Sequence, residues 1–240
     1  MLPQFTLLLS EFAHQAERLA KSRLIFLGDL ISKGPSILGV LDMWAADTLA
    51  EQHSSVHRLF GNHEQMLMII ANGLPNSDDA KQKLFSVGGN MLEEELRQKT
   101  GEQSALLSRE LLHAGTSDAV MSKLDRLQSH IEIGNLVFVH GGIDPALGVA
   151  ASLAPSWEEI ADNHWAWIQG PFLQHRGDYG GRLIVHGHTP PASHRKYTGY
   201  PDPHVIQHSR LCLDGGSSVT GIVMAAQIED GRYRLIAAHN

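Results

Sequence analysis

The chain has 240 residues, 42% of them hydrophobic and 19% charged, with a formal net charge of −7. That length buries a full core as one domain, or at most two. No apolar run reaches the roughly 18 residues of a membrane span, and no run of Lys and Arg offers a nucleic acid a basic track. The one cysteine, Cys212, cannot close an internal disulfide. It flanks an apolar strand and reads as a buried thiol. The apolar N-terminal stretch has no basic flank and no small-residue cleavage site, so it does not read as a signal peptide. Together these features point to the cytoplasm.

Residues 3–21 read as a helix, because Leu2, Phe5, Leu8, Leu9 and Phe12 recur at helical spacing. Residues 23–27 form a short buried strand that ends at Gly28-Asp29. Pro35 suits the first turn of a helix running to about residue 50. Residues 56–60 are a second strand, followed by a helix from about residue 64 to 71. This βαβα order predicts parallel strands covered by helices. Residues 76–128 read as wholly helical, with Gly73 and Gly88-Gly89 as punctuation. Beyond residue 130 the character turns to β. Residues 131–133 and 136–139 flank the hairpin turn Gly134-Asn135. Residues 182–185, 210–213, 221–228 and 232–237 are further strands, the last two joined at Asp230-Gly231. The expectation is one domain with two sheets.

Four segments carry chemistry: Gly28-Asp29, Gly61-Asn62-His63-Glu64, Val139-His140-Gly141-Gly142 and Gly187-His188-Thr189-Pro190. Each places a metal-grade ligand within a few residues of a strand's carboxyl end, where ligands gather in open α/β sheets. Asp29, Asn62, His140 and His188 together make a mixed oxygen and nitrogen shell. Such a shell suits Mn, Fe, Zn or Co better than Ca or Mg. His63 is placed to act as a general acid, and Lys33 to hold a phosphate as a point charge. Singly, each segment also reads as a turn or a helix cap. Their joint occurrence after successive strands is what points to a site. The triplets Asp162-Asn163-His164 and Asp202-Pro203-His204 follow no apolar strand and read as surface loops.

On these residues the chain resembles the calcineurin-like metallophosphoesterases, and within them the bacterial phosphoprotein phosphatases. Gly28 through Pro35 is similar to the family's Gly-Asp-x-x-Asp-Arg-Gly block, and Gly61-Asn62-His63-Glu64 matches without change. The segments around His140 and His188 resemble its two histidine blocks. Residues 167–173 resemble its Trp-Ile-Arg segment, and Leu213-Asp214-Gly215-Gly216 its late Asp-Thr-Gly strand.

The resemblance implies an α/β fold, a four-layer α/β/β/α sandwich with a helical cap insert over about residues 74–130. It also implies a two-metal hydrolase of phosphoric esters, with manganese the expected ion and Fe or Zn the alternatives. Asp29 bridges both metals in that scheme, and Asn62, His140 and His188 complete the second. A metal-activated hydroxide attacks phosphorus while His63 protonates the leaving group. Lys33 and Asn62 bind the substrate.

Two departures matter. The family's opening Gly-Asp-x-His-Gly, which holds the first metal, is absent. The expectation is an N-terminal truncation of roughly 10–15 residues, one strand and a turn. Ser32 and Lys33 stand where the family has Asp and Arg, and Gln169 replaces a second Arg, so bidentate phosphate recognition is lost at both positions. Arg176 and Arg195 are candidate substitutes. The leading function is a serine/threonine phosphatase-like phosphomonoesterase acting on a phosphoprotein or small phosphoester. The alternatives are symmetrical cleavage of a dinucleoside tetraphosphate and an inactive phosphate-binding remnant. With one metal shell incomplete, residues 1–240 are expected to hydrolyse p-nitrophenyl phosphate weakly or not at all. A metal-dependence assay checks this, and strong turnover by this polypeptide alone contradicts it.

Overall fold

The computed structural model describes residues 2–17, 19 and 21–239. Its first helix, Leu2–Ala16, buries Phe5, Leu8 and Leu9. The expected helix over 3–21 thus stops at Ala16, and its positions 18 and 20 lie outside the described residues. Strand β1, Arg23–Phe26, pairs in parallel with β2, Ser55–Arg58, in the register Phe26 to Arg58. The single helix expected up to residue 50 is two, Ile37–Ala45 and Thr48–Gln52. Arg58 explains the break. Its Nε and a terminal guanidinium nitrogen donate to the Trp44 carbonyl at 3.1 and 2.7 Å. The chain then leaves the helix at Ala46 in an extended conformation.

The expected parallel strands and helical run are present. Helices Ser77–Ser86, Asn90–Thr100, Arg109–Gly115 and Asp118–Leu124 fill the predicted helical stretch. Ser108 and Ser117 cap the last two, accepting from Leu111 and Val120 backbone N–H groups. Leu84, Leu92, Leu96 and Leu112 are fully buried and belong to the same core as Trp44 and Ile69. This segment is therefore packed into the main core.

Strand β3, His130–Ile133, and β4, Leu136–Val139, form the expected antiparallel hairpin. Parallel strands β5, Leu183–His186, and β6, Arg210–Cys212, extend it in the order β3-β4-β5-β6. The inner strands read as continuous apolar runs because both faces are covered. Strands β7, Val223–Glu229, and β8, Arg232–Ala238, make a separate hairpin. Asp230 and Gly231 at its turn both have positive φ, 49° and 73°, as a two-residue primed turn requires. Where two sheets are expected, hydrogen bonding groups the strands into three sets. Residues of β1 and β7 line one cavity of about 1110 Å³, so neither strand continues the other's ladder.

Helix Pro191–Thr198 has no counterpart in the periodicity reading. It opens on Pro190-Pro191 and carries few apolar residues, so only its proline at the first turn signals it. No helix among the described residues is long and apolar enough to cross a membrane.

Since Leu92 is fully buried among the core residues, Leu92→Ala is expected to cost about 2–5 kcal/mol. Urea denaturation should show this as one cooperative transition shifted to lower midpoint. A separate early transition for the helical segment contradicts the shared core.

Candidate metal centre and its cavity

The loop after β1 and the turn after β2 meet backbone to backbone. A Cβ on Gly28, whose φ is +94°, would collide with the backbone of Phe60 and Gly61. Only glycine permits that approach. Glu64 then clamps the two together. Its carboxylate accepts from the backbone N–H of Asp29 at 2.7 Å, Leu30 at 2.7 Å and Gly61 at 3.0 Å. At the start of helix Asn62–Ala71, Glu64 reaches back to the backbone N–H of the N-cap residue Gly61, the half of a capping box that needs no N-cap side chain. Burial raises the Glu64 pKa and the Asp29 charge adds to this, while the backbone donors oppose it.

On this clamp the predicted ligands converge. Asp29 Oδ2 lies 3.3 Å from His140 Nε2 and 3.8 Å from His63 Nε2. Asp29 Oδ1 accepts the His63 backbone N–H at 3.2 Å. Asn62 Oδ1 is 3.2 Å from His140 Nε2 and 3.0 Å from His188 Nδ1. One atom each from Asp29, His140 and His188 falls within 4.8 Å of the others. His140 Nδ1 donates to the Leu27 carbonyl at 2.7 Å, which fixes the ring and directs Nε2 inward. His188 Nε2 sits 3.1 Å from the Trp167 carbonyl, and its Nδ1 faces Asn62.

The electrostatics match this geometry. Burial opposes ionisation of Asp29, but His140, His63 and His188 outweigh it and hold the carboxyl well below the usual range. Burial likewise disfavours charge on His140, yet Asp29 prevails and its pKa is pushed up to about 9. Burial and the His140 charge drive His188 down to about 3. The centre thus gathers a carboxylate, an amide oxygen and a neutral imidazole around a single proton on His140. A cation in that proton's place satisfies every one of these donors, so the set fits a metal.

Three predicted site residues sit in the left-handed region: Asp29 at φ 61°, Lys33 at 62° and His188 at 66°. Each such backbone costs of order 1–3 kcal/mol, and non-glycine residues cluster there at functional sites.

Around the centre, Ser32 Oγ hydrogen-bonds His63 Nδ1. Lys33 is exposed and lines the large cavity together with Asp29, His63, His188, Trp167 and Gln169. Gln169 Nε2 is 3.1 Å from His188 Nε2. Arg176 and Arg195, the substitutes considered for the missing arginines, do not line this cavity. Arg176 donates instead to the Thr198 carbonyl at 2.9 Å. His164 is buried, not on a surface loop, and its ring bonds the Ser156 carbonyl and the Ala166 N–H.

Two residues beside the ligands were not singled out as functional. Glu64 had a signal, an acidic residue in the third position of a helix, where its carboxylate reaches back to the N-cap N–H. Asp214 lines the cavity, and burial raises its pKa, with Asp29 adding to the rise.

The family model for calcineurin-like phosphoesterases matches residues 3–224. The chain belongs to the calcineurin-like phosphoesterase family, whose members are metal-dependent hydrolases of phosphate esters. Among solved structures it is similar to the cold-active protein-tyrosine phosphatase of a psychrophilic Shewanella species. That match has 16% identity and a TM-score of 0.57, covering 98% of this chain and 77% of the other. A point mutant of a cold-active protein tyrosine phosphatase gives 18% identity and a TM-score of 0.56, with the same coverage. At these identities the likeness speaks for the fold. No curated protein matches the sequence.

Removing the clamp tests its part in this centre. Glu64→Ala leaves three backbone N–H groups without their acceptor and is expected to cost about 3–5 kcal/mol. Chemical denaturation measures it, and a loss below about 1 kcal/mol means water replaces the carboxylate.

Proposed function

We propose that the protein is a metal-dependent phosphomonoesterase of the cytoplasm, acting on phosphoserine or phosphothreonine in proteins, with manganese as its ion. The observation that carries this reading is the convergence of Asp29, Asn62, His140 and His188 beside His63, on the wall of a cavity that Lys33 also lines. A bound divalent cation supplies a nucleophile at neutral pH and neutralises phosphoryl charge.

The chain's own residues supply the rest. His63 is held by Ser32 at Nδ1, which leaves Nε2 to carry a proton toward the leaving oxygen. Lys33 offers a compact positive charge to the phosphate. The N-terminus of the helix beginning at Asn62 is engaged by the Glu64 and Asp29 carboxylates, through the Gly61 and His63 N–H groups, and so fixes Asp29. Ser32, being neutral, stabilises an imidazolium less than a carboxylate does, which favours slow turnover.

A second reading, phosphate binding without turnover, is favoured by one observation. Among the described residues, the cavity wall carries a single cluster of three His, Cys, Asp or Glu ligands.

Calorimetric titration with manganese is expected to show one equivalent bound at this set, with Asp29→Asn weakening it by at least about 100-fold. Because the ion must displace the His140 proton, held to about pH 9, affinity should rise about tenfold per pH unit from 7 to 9, then level. Phosphate release from a phosphoserine peptide that Asp29→Asn abolishes supports the phosphatase. Formation of ADP from diadenosine tetraphosphate, with no phosphate released from the peptide, moves the substrate to dinucleoside polyphosphates. Saturable phosphate binding with no release supports the second reading. Absence of manganese binding overturns the proposal.

A further inference from the structure

A second group of ligands lies apart from this centre, at the ends of β5 and β6. His186 closes β5, Cys212 closes β6, and His194 lies on helix Pro191–Thr198. One nitrogen of each histidine and the cysteine sulfur fall within 4.8 Å of one another. All three are buried, with exposures of 0%, 6% and 1%.

His186 Nδ1 donates to the Gly187 carbonyl at 3.1 Å, while its Nε2 is buried with no hydrogen-bond partner. An orphaned buried nitrogen costs about 1–3 kcal/mol. The two imidazoles stack at 6.3 Å with planes 18° apart. His194 Nδ1 is held by Thr198 Oγ1 at 3.3 Å. Beside His194 and Cys212 is a cavity of about 10 Å³, which Gln207 and Arg210 also line and His186 does not. The Gln207 Oε1 is also buried and without a partner. That volume holds about one water-sized sphere.

We infer that His186, His194 and Cys212 form a second, structural metal site for a thiophilic cation of the zinc class, with Gln207 Oε1 as the fourth donor. Two neutral nitrogens, a sulfur and an amide oxygen make a donor set that suits tetrahedral zinc. Zinc distances put such ligand atoms roughly 3.3–3.6 Å apart, so binding draws the three together by no more than about an ångström. The cation satisfies both orphaned atoms at once.

The protonation states agree with this. Burial, with Arg210, lowers His194 to about 4, so its lone pair is free at neutral pH. Burial raises the Cys212 thiol, which keeps it inert until a cation takes the proton's place. Arg210 lines the same cavity, but its guanidinium nitrogens donate to the carbonyls of Phe172, Leu173 and His175. The thiolate cancels one of the cation's two charges. The loaded site would tie together β5, β6 and helix Pro191–Thr198, the frame that carries His188.

Cobalt(II) is the probe, because Cys212 is the only sulfur ligand of its kind in the chain. Metal-free full-length protein is titrated and the thiolate-to-cobalt charge-transfer band followed in the near ultraviolet. One saturating equivalent of band is expected, displaced by zinc, absent in Cys212→Ser, and at least tenfold weaker in affinity in His194→Gln. The band should persist in Asp29→Asn, so its fate is independent of the phosphoesterase centre. Circular dichroism confirms that each variant is folded. A folded wild type without the band overturns the inference, as does a band of unchanged affinity in His194→Gln.

Discussion

The molecule depends on one contact, the seating of the Gly28-Asp29 turn on the Gly61-Asn62 turn under the Glu64 carboxylate. β1 and β2 are four residues each and form a two-stranded sheet among the described residues, with one further bridge, Leu59 to Gln128, at its end. Two short parallel strands do not hold two loops in register by themselves. The carboxylate does so by gathering three backbone N–H groups at 2.7 to 3.0 Å. Its desolvation is the cost, and the three donors offset it. Once the turns are fixed, Asp29 and Asn62 can only face each other, and His140 is bound to the same place through the Leu27 carbonyl.

The strain at Asp29, Lys33 and His188 follows from that seating. A strand end that continues straight sends successive side chains to opposite faces. Turning sharply into the left-handed region instead points a side chain across the sheet's edge. The cost of three such residues is absorbed by the core under them, where Ile31, Leu67, Val139 and Val185 are fully buried. A candidate metal centre assembled from four separate strand ends thus rests on packing that has no chemical part in it.

The strands and the meeting of the candidate ligands are legible in the sequence for one reason. Short apolar runs ending in glycine next to Asp, Asn or His carry both structural and chemical information. Residues 23–26, 136–139 and 183–186 show this directly. The break at Ala46 was not readable, because it depends on Arg58 reaching the Trp44 carbonyl from another strand. Helix Pro191–Thr198 was hidden by its polar composition. Cys212 was correctly read as buried, yet its neighbours were not visible. They depend on β5 lying beside β6 in the register His186 to Cys212, which no local pattern encodes.

His186 and His188 show how one strand end serves two centres. In an extended chain, residues two apart share a face, and both rings would crowd the same side. The positive φ of His188 breaks that alternation. His188 turns to Asn62, while His186 stays in the sheet and packs edge-on against Phe172 at 4.9 Å. Gly187 between them donates to the His140 carbonyl at 2.9 Å, so the parting of the two rings is pinned by the neighbouring strand. Any tightening at His186, His194 and Cys212 therefore acts on His188 through one rigid peptide. The second group of ligands is built into the support of the first, although the two share no ligand.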